Sequence, residues 1–171
     1  MQSFSRDHEL LKQGSGFTLG SPFTTKAILV GILLWINFYI AITYNLLGCA
    51  KELTHWSLWM TTAQVMISLK CSMDTQIEKK QGWLAAHHIL FSLITPMNLL
   101  ITIVYWTMLR EVALATFANT ATKALHSGVV HLLPLVCNLI NFAVTDVVIK
   151  ASHGLLLLPF GFIYSFANYM T

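Results

Sequence analysis

The sequence predicts an all-α, polytopic transmembrane helix bundle of about five spans, with its N-terminus on a cytoplasmic-type side. Three observations carry this. Of 171 residues, 56% are apolar and only 10% charged, too little charge to clothe a soluble domain of this size. The apolar residues fall in blocks of about 18 or more, long enough to cross about 30 Å of hydrocarbon as helices. Lipid offers no partner for backbone N–H and C=O groups, so such blocks must be helical, and the alternation of an outer-membrane barrel is absent.

Residues 1–26 read as a polar N-terminal arm carrying Arg6, Lys12 and Lys26 beside Asp7 and Glu9. The acidic pair argues against a transit peptide, and no apolar core with a cleavage site precedes Lys26. His8–Gln13 suggests a short interfacial helix within the arm. Residues 27–171 then form one domain, with spans at about 27–48, 56–71, 83–109, 124–149 and 154–171. The second is the least apolar. The third and fourth contain Pro96 and Pro134, tolerable where neighbours satisfy the freed carbonyls.

Basic residues set the orientation. With the N-terminus inside, Arg6, Lys12, Lys26, Lys70, Lys79, Lys80 and Lys150 lie on that side, against Lys51, Arg110 and Lys123 opposite. Trp56, Trp59, Tyr105 and Trp106 then gather at the outer interface, where amphipathic rings prefer to sit. The scattered charge excludes a nucleic-acid footprint, and the Lys79–Lys80 doublet is too small for an anionic-lipid site. Cys49, Cys71 and Cys137 are odd in number and lack metal-ligand spacing, so no disulfide is implied. No cofactor or metal is expected: helical His-x-x-x-His and Glu-x-x-His pairs, phosphate loops and the nucleophile elbow are all absent. His87 and His88 are adjacent on a helix and point to different faces, and Asp146 and His153 bracket an inner loop where they can pair.

Polar residues inside spans are costly, so their placement is informative. Ser57, Thr61, Gln64 and Ser68 are spaced four, three and four apart, on one face of the second span. Ser127, His131, Pro134, Asn138, Asn141 and Thr145 follow the same rule in the fourth. Both stripes should face the protein interior. Thr61 lies about five residues, or 8 Å, below the outer end of its span, and His131 about seven residues, or 10 Å, below its own. At a shared depth, a hydroxyl and an imidazole form the minimal kit of a nucleophile and its general base. The structural reading stands beside this one. Membrane threonines commonly bond back to the carbonyl one turn earlier, and Ser, Thr and Asn stripes commonly serve helix packing. His126 lies nearer the interface and off the stripe, and is the second candidate base.

From Thr95 to Thr171 the chain resembles the androgen-induced-gene family of multi-pass membrane proteins, whose members include hydrolases of fatty acid esters of hydroxy fatty acids. The similar features are Pro96, Tyr105–Trp106, Arg110–Glu111, the His126–Gly128 run, Pro134, His153, Pro159, Gly161, Tyr164 and Asn168. Trp59-Met60-Thr61 resembles the family's aromatic-apolar-Thr run, whose threonine is the family's proposed nucleophile. The family's catalytic histidine lies five residues before the helix proline, where this chain has Val129 flanked by His126 and His131. The resemblance implies a lipid-ester hydrolase with membrane lipids as partners, Thr61 as nucleophile and His131 or His126 as base. Gln64 and Asn138, with Asn141 further along the stripe, are the residues to orient the histidine or donate to an oxyanion. The rival is a non-catalytic structural subunit of a larger membrane complex, its stripes binding neighbouring subunits. A further apolar span beyond Thr171 would favour the enzyme, since the family has six. The expected membrane is the endoplasmic reticulum or the inner mitochondrial membrane.

Overall fold

A computed structural model describes residues 22–44, 49, 52–73, 77–117, 120–145, 155 and 157–170, excepting the side chains of 77–81 and 167–170. The polar arm up to residue 21, with its His8–Gln13 segment, and the Asp146–His153 pair lie outside the described residues, as do Lys51, Lys150 and the side chains of Lys79 and Lys80.

The described chain is helix apart from short turns: α1 (Pro22–Thr43), α2 (Leu53–Met73), α3 (Ile77–Val104), α4 (Arg110–Thr116), α5 (Ala121–Ala143) and α6 (Leu157–Met170). A π-helical turn at Tyr105–Leu109 joins α3 to α4, so the two make one continuous rod and the bundle has five. Among the described residues three rods are long and apolar enough to cross a membrane, and the protein is an integral membrane protein. They are Pro22–Thr43, Gly82–Thr116 and Ala121–Ala143. Two rods miss that standard. α2 carries too many polar groups, and the apolar stretch of α6, Leu157–Phe166, is short.

Helix α1 starts five residues before the expected span, because Pro22 supplies a φ already suited to the first helical turn. Lys26 therefore lies inside a helix rather than in the polar arm. It is only 4% exposed, and its ammonium donates to Ser72 Oγ at 2.8 Å.

Helix α2 occupies the centre, packed against α1, α3 and α5. Side-chain bonds fix the directions. Lys26 meets Ser72 and Asn37 meets Thr62, so α1 runs antiparallel to α2. Ser57 meets Asn98 and Gln64 meets His87, so α3 is antiparallel as well. Thr54 meets His131 and Ser68 meets Asn141, so α5 runs parallel to α2.

The layering inverts that of a soluble domain. Leu33, Ile40, Leu58, Val65, Val130 and Cys137 share the interior with Ser57, Thr61, Gln64, His87, Asn98, Asn138 and Asn141. Trp35, Phe38, Ile42, Leu125 and Phe162 point outward. Burying apolar groups gains little when lipid is the alternative, so polar bonds and close packing must hold the helices together.

Candidate active site

The site begins at the first turn of α2. Glu52 precedes the helix, and its carbonyl accepts from His55 N–H at 3.0 Å and Trp56 N–H at 3.3 Å. The Leu53 N–H, one of the donors that a helix start leaves without an intrahelical partner, donates to Tyr164 Oη on α6 at 3.0 Å. Trp56 braces the same turn, packing edge-on against Phe160 and Tyr164. Thr54 is thus fixed one residue into the helix and nearly buried.

Facing it on α5 is His131. Its Nδ1 lies 2.7 Å from the carbonyl of Ser127, one turn earlier on the same face. A carbonyl only accepts, so Nδ1 carries the proton and Nε2 presents a lone pair. That lone pair faces Thr54 Oγ1 at 3.1 Å, and the hydroxyl donates to it. The ring of Tyr105 stacks on the imidazole, with centroids 3.9 Å apart and planes 14° from parallel. Thr102 Oγ1 donates to the His131 carbonyl at 2.7 Å and pins the backbone beneath the ring. The result is an ordered relay of hydroxyl, imidazole and carbonyl, in which a base already points at the proton it would take.

Above this pair, Glu52 meets His55 Nδ1 at 3.0 Å, with the carboxylate side chain 61% exposed. The His55 contact holds the Glu52 carboxyl below its ordinary range, and partial burial opposes the shift. Two cavities adjoin the site. One, of about 200 Å³, is apolar and bounded by Leu53, Pro96, Met97, Leu100, Phe160 and Tyr164. The other, of about 360 Å³, lies behind Tyr105, between the α3–α4 rod and α5.

The structure does not bring Thr61 and His131 together. Thr61 is fully buried, donates to the Ser57 carbonyl at 2.8 Å and accepts from Asn98 Nδ2 at 3.0 Å. The depth argument fails because α2 and α5 do not start at one level. Thr54, one residue into α2, lies beside His131, ten residues into α5. His126 stacks on Tyr44, with centroids 4.6 Å apart, and also touches Tyr39.

Nor do the amides of the stripes orient His131. Gln64 meets His87 Nε2 at 2.9 Å, and Asn138 donates to Thr95 Oγ1 at 2.9 Å. Asn141 accepts from Ser68 at 3.1 Å and from Thr145 at 3.5 Å. Among the described residues no group of three metal-ligating side chains assembles.

Two features lay outside the sequence reading. Thr54 precedes Ser57 by three residues and so belongs to the α2 stripe, but a span begun at Trp56 cuts it off. Thr95, Asn98 and Thr102, with His87 and Phe91 below them, form a third stripe on α3 at spacings of four, four, three and four. That periodicity was available from the sequence. Compared with protein-family models, with curated proteins and with solved structures, the chain matches none.

Proposed function

We propose that the protein is a membrane-embedded lipid-ester hydrolase in which Thr54 is the nucleophile and His131 the general base. The 3.1 Å contact from Thr54 Oγ1 to a His131 Nε2 whose other nitrogen is tied to Ser127 carries the reading. His131 takes the Thr54 proton as Oγ1 attacks the ester carbonyl carbon. The tetrahedral intermediate collapses as the imidazolium returns that proton to the leaving alkoxide, which departs as an alcohol. Water, deprotonated by His131, then attacks the acyl-threonine, and the fatty acid leaves with Thr54 restored. Tyr105, stacked on the ring, favours the transient imidazolium through its π face.

The apolar cavity that begins at Leu53, next to Thr54, suits an acyl chain. A cavity of about 150 Å³ accepts a benzene ring, so about 200 Å³ holds on the order of eight carbons. The resemblance to the androgen-induced-gene family points to the same substrate class; its threonine corresponds to Thr61, so the choice of Thr54 rests on the contact with His131 alone.

The test is labelling of the purified chain by a fluorophosphonate probe, alongside turnover of a fluorogenic fatty acyl ester. Wild type should label at Thr54, and Thr54→Val and His131→Gln should each lose label and turnover by about 10³-fold or more. Thr61→Val should retain both. Label on Thr61, or retention by the Thr54 variant, would overturn the assignment. A folded wild type that neither labels nor turns over ester would make the chain a non-catalytic subunit, its polar seam serving helix association.

A further inference from the structure

We infer that the groove behind Tyr105 is a phospholipid site, with the lipid phosphate held by Arg110 and one acyl chain lying along α5. This site stands apart from ester hydrolysis and survives if that activity is absent.

The first argument is level. Gly82–Thr116 is a continuous helix of 35 residues, about 52 Å at the helical rise, and so projects well beyond a hydrocarbon core of about 30 Å. Two tryptophans on this rod each sit under a cation. Lys70 Nζ is 4.1 Å from the Trp83 ring centroid, and Arg110 Cζ is 5.3 Å from that of Trp106. These tryptophans are separated by 23 positions, about 35 Å. That spacing matches the two interfacial belts, where tryptophan rings and basic side chains gather. Arg110 lies four residues past Trp106, about 6 Å farther out, in the headgroup layer where phosphate is the abundant anion.

The second argument is shape. The groove runs between Tyr105, Trp106 and Arg110 on one side and Leu125, Val129 and Leu132 on the other. The last three are spaced four and three apart, so they form one apolar face of α5 descending from the interface. By the same scaling as for the smaller cavity, about 360 Å³ holds on the order of a dozen carbons, one acyl chain.

The third is charge. Arg110 makes no ion pair among the described residues, and it is exposed on the rim of the groove, with Leu114 one turn farther out. The planar fork of its donors fits a phosphate in bidentate fashion. The π-helical turn connects these features. Its bond from Arg110 N–H to the Tyr105 carbonyl admits an extra residue into the turn, leaving Tyr105 buried against His131 and Trp106 and Arg110 exposed on the groove.

The experiment uses the whole chain in phosphatidylcholine vesicles doped with a diazirine-chain phosphatidylcholine, and maps adducts by mass spectrometry. Adducts on Leu125, Val129 and Leu132 should exceed those on the outward-facing Trp35 and Phe38 of α1 by about five-fold, the scale of one basic residue acting at the membrane surface. Arg110→Gln and the groove-filling Val129→Trp should each bring groove labelling down to the α1 level, with α1 labelling unchanged as evidence of an intact bundle. A diazirine diacylglycerol, which lacks phosphate, should show no enrichment. Equal groove labelling in wild type and Arg110→Gln would overturn the proposal, as would equal enrichment by diacylglycerol. Enrichment by a diazirine fatty acid alone would make the occupant a carboxylate and overturn it too.

Discussion

Asn98 bridges two hydroxyls on the central helix. Its Oδ1 accepts from Ser57 and its Nδ2 donates to Thr61 Oγ1, and all three side chains are at most 2% exposed. Replacing Asn98 by leucine keeps the branched outline of the side chain in a bulkier form and removes both bonds. Interhelical hydrogen bonds in membranes average about 0.6 kcal/mol and reach about 1.7 kcal/mol. Thr61 loses least, because it keeps its own bond to the Ser57 carbonyl. Ser57 loses its side-chain acceptor and has only the carbonyl one turn back as a substitute. The lost bonds therefore contribute about 1–2 kcal/mol to the cost of Asn98→Leu, and crowding by the bulkier side chain adds to it, which is why the coupling rather than the single-variant loss is the test. Reversible unfolding in mixed micelles measures it. A double-mutant cycle with Ser57→Ala should return a coupling of about 0.5–1 kcal/mol. A coupling indistinguishable from zero would refute the idea that this polar layer holds α2 to α3, whatever the single variants do.

Three further outcomes follow from other parts of the structure. Tyr164→Phe removes the acceptor for the Leu53 N–H, so amide exchange at Leu53 should accelerate and stability should fall by about 1 kcal/mol. Lys26→Met should leave the bundle unchanged or more stable, because the buried ammonium has no carboxylate partner among the described residues; a clear loss in micelle unfolding would contradict this. The His55 contact depresses the Glu52 carboxyl below its ordinary value. Its stabilising contribution is thus complete above that value and is lost as pH falls through the lower folded-state value. Melting of Glu52→Gln at pH 6 and pH 3 should show a shallower acid loss than wild type, by a small margin because the carboxylate is mostly exposed.

The sequence made the helical class and the burial of the α2 and α5 stripes legible, because both are properties of one chain segment at a time. A run of apolar residues reports its environment, and spacings of three and four report a face. Partnership is a property of two segments, and there the reading failed. Thr61 and His131 share a nominal depth only if their helices start together, and the stagger of α2 against α5 depends on packing that no single-helix pattern encodes. Boundary placement did further harm. Three residues trimmed from α2 hid Thr54, and five trimmed from α1 left Lys26 among the polar arm rather than inside the bundle. The α3 stripe was missed for a different reason. Pro96 drew attention to the break it threatens, while Thr95 and Asn98 on either side of it carry the contacts.

The polarity of α2 has a consequence for how the protein is made. With Ser57, Thr61, Gln64 and Ser68 along one face and Thr54, His55 and Lys70 near its ends, it falls below the hydropathy of a self-sufficient span. A translocation channel that tests each segment for its preference for lipid would tend to reject it on its own. Its partners α1 and α3, one synthesised before it and one after, must shelter it while it leaves the channel. The bonds from Asn37 to Thr62 and from Asn98 to Ser57 and Thr61 are the contacts that would do so. A nascent chain stopped after α2 should then remain at the translocon, waiting for α3 before it can enter the bilayer.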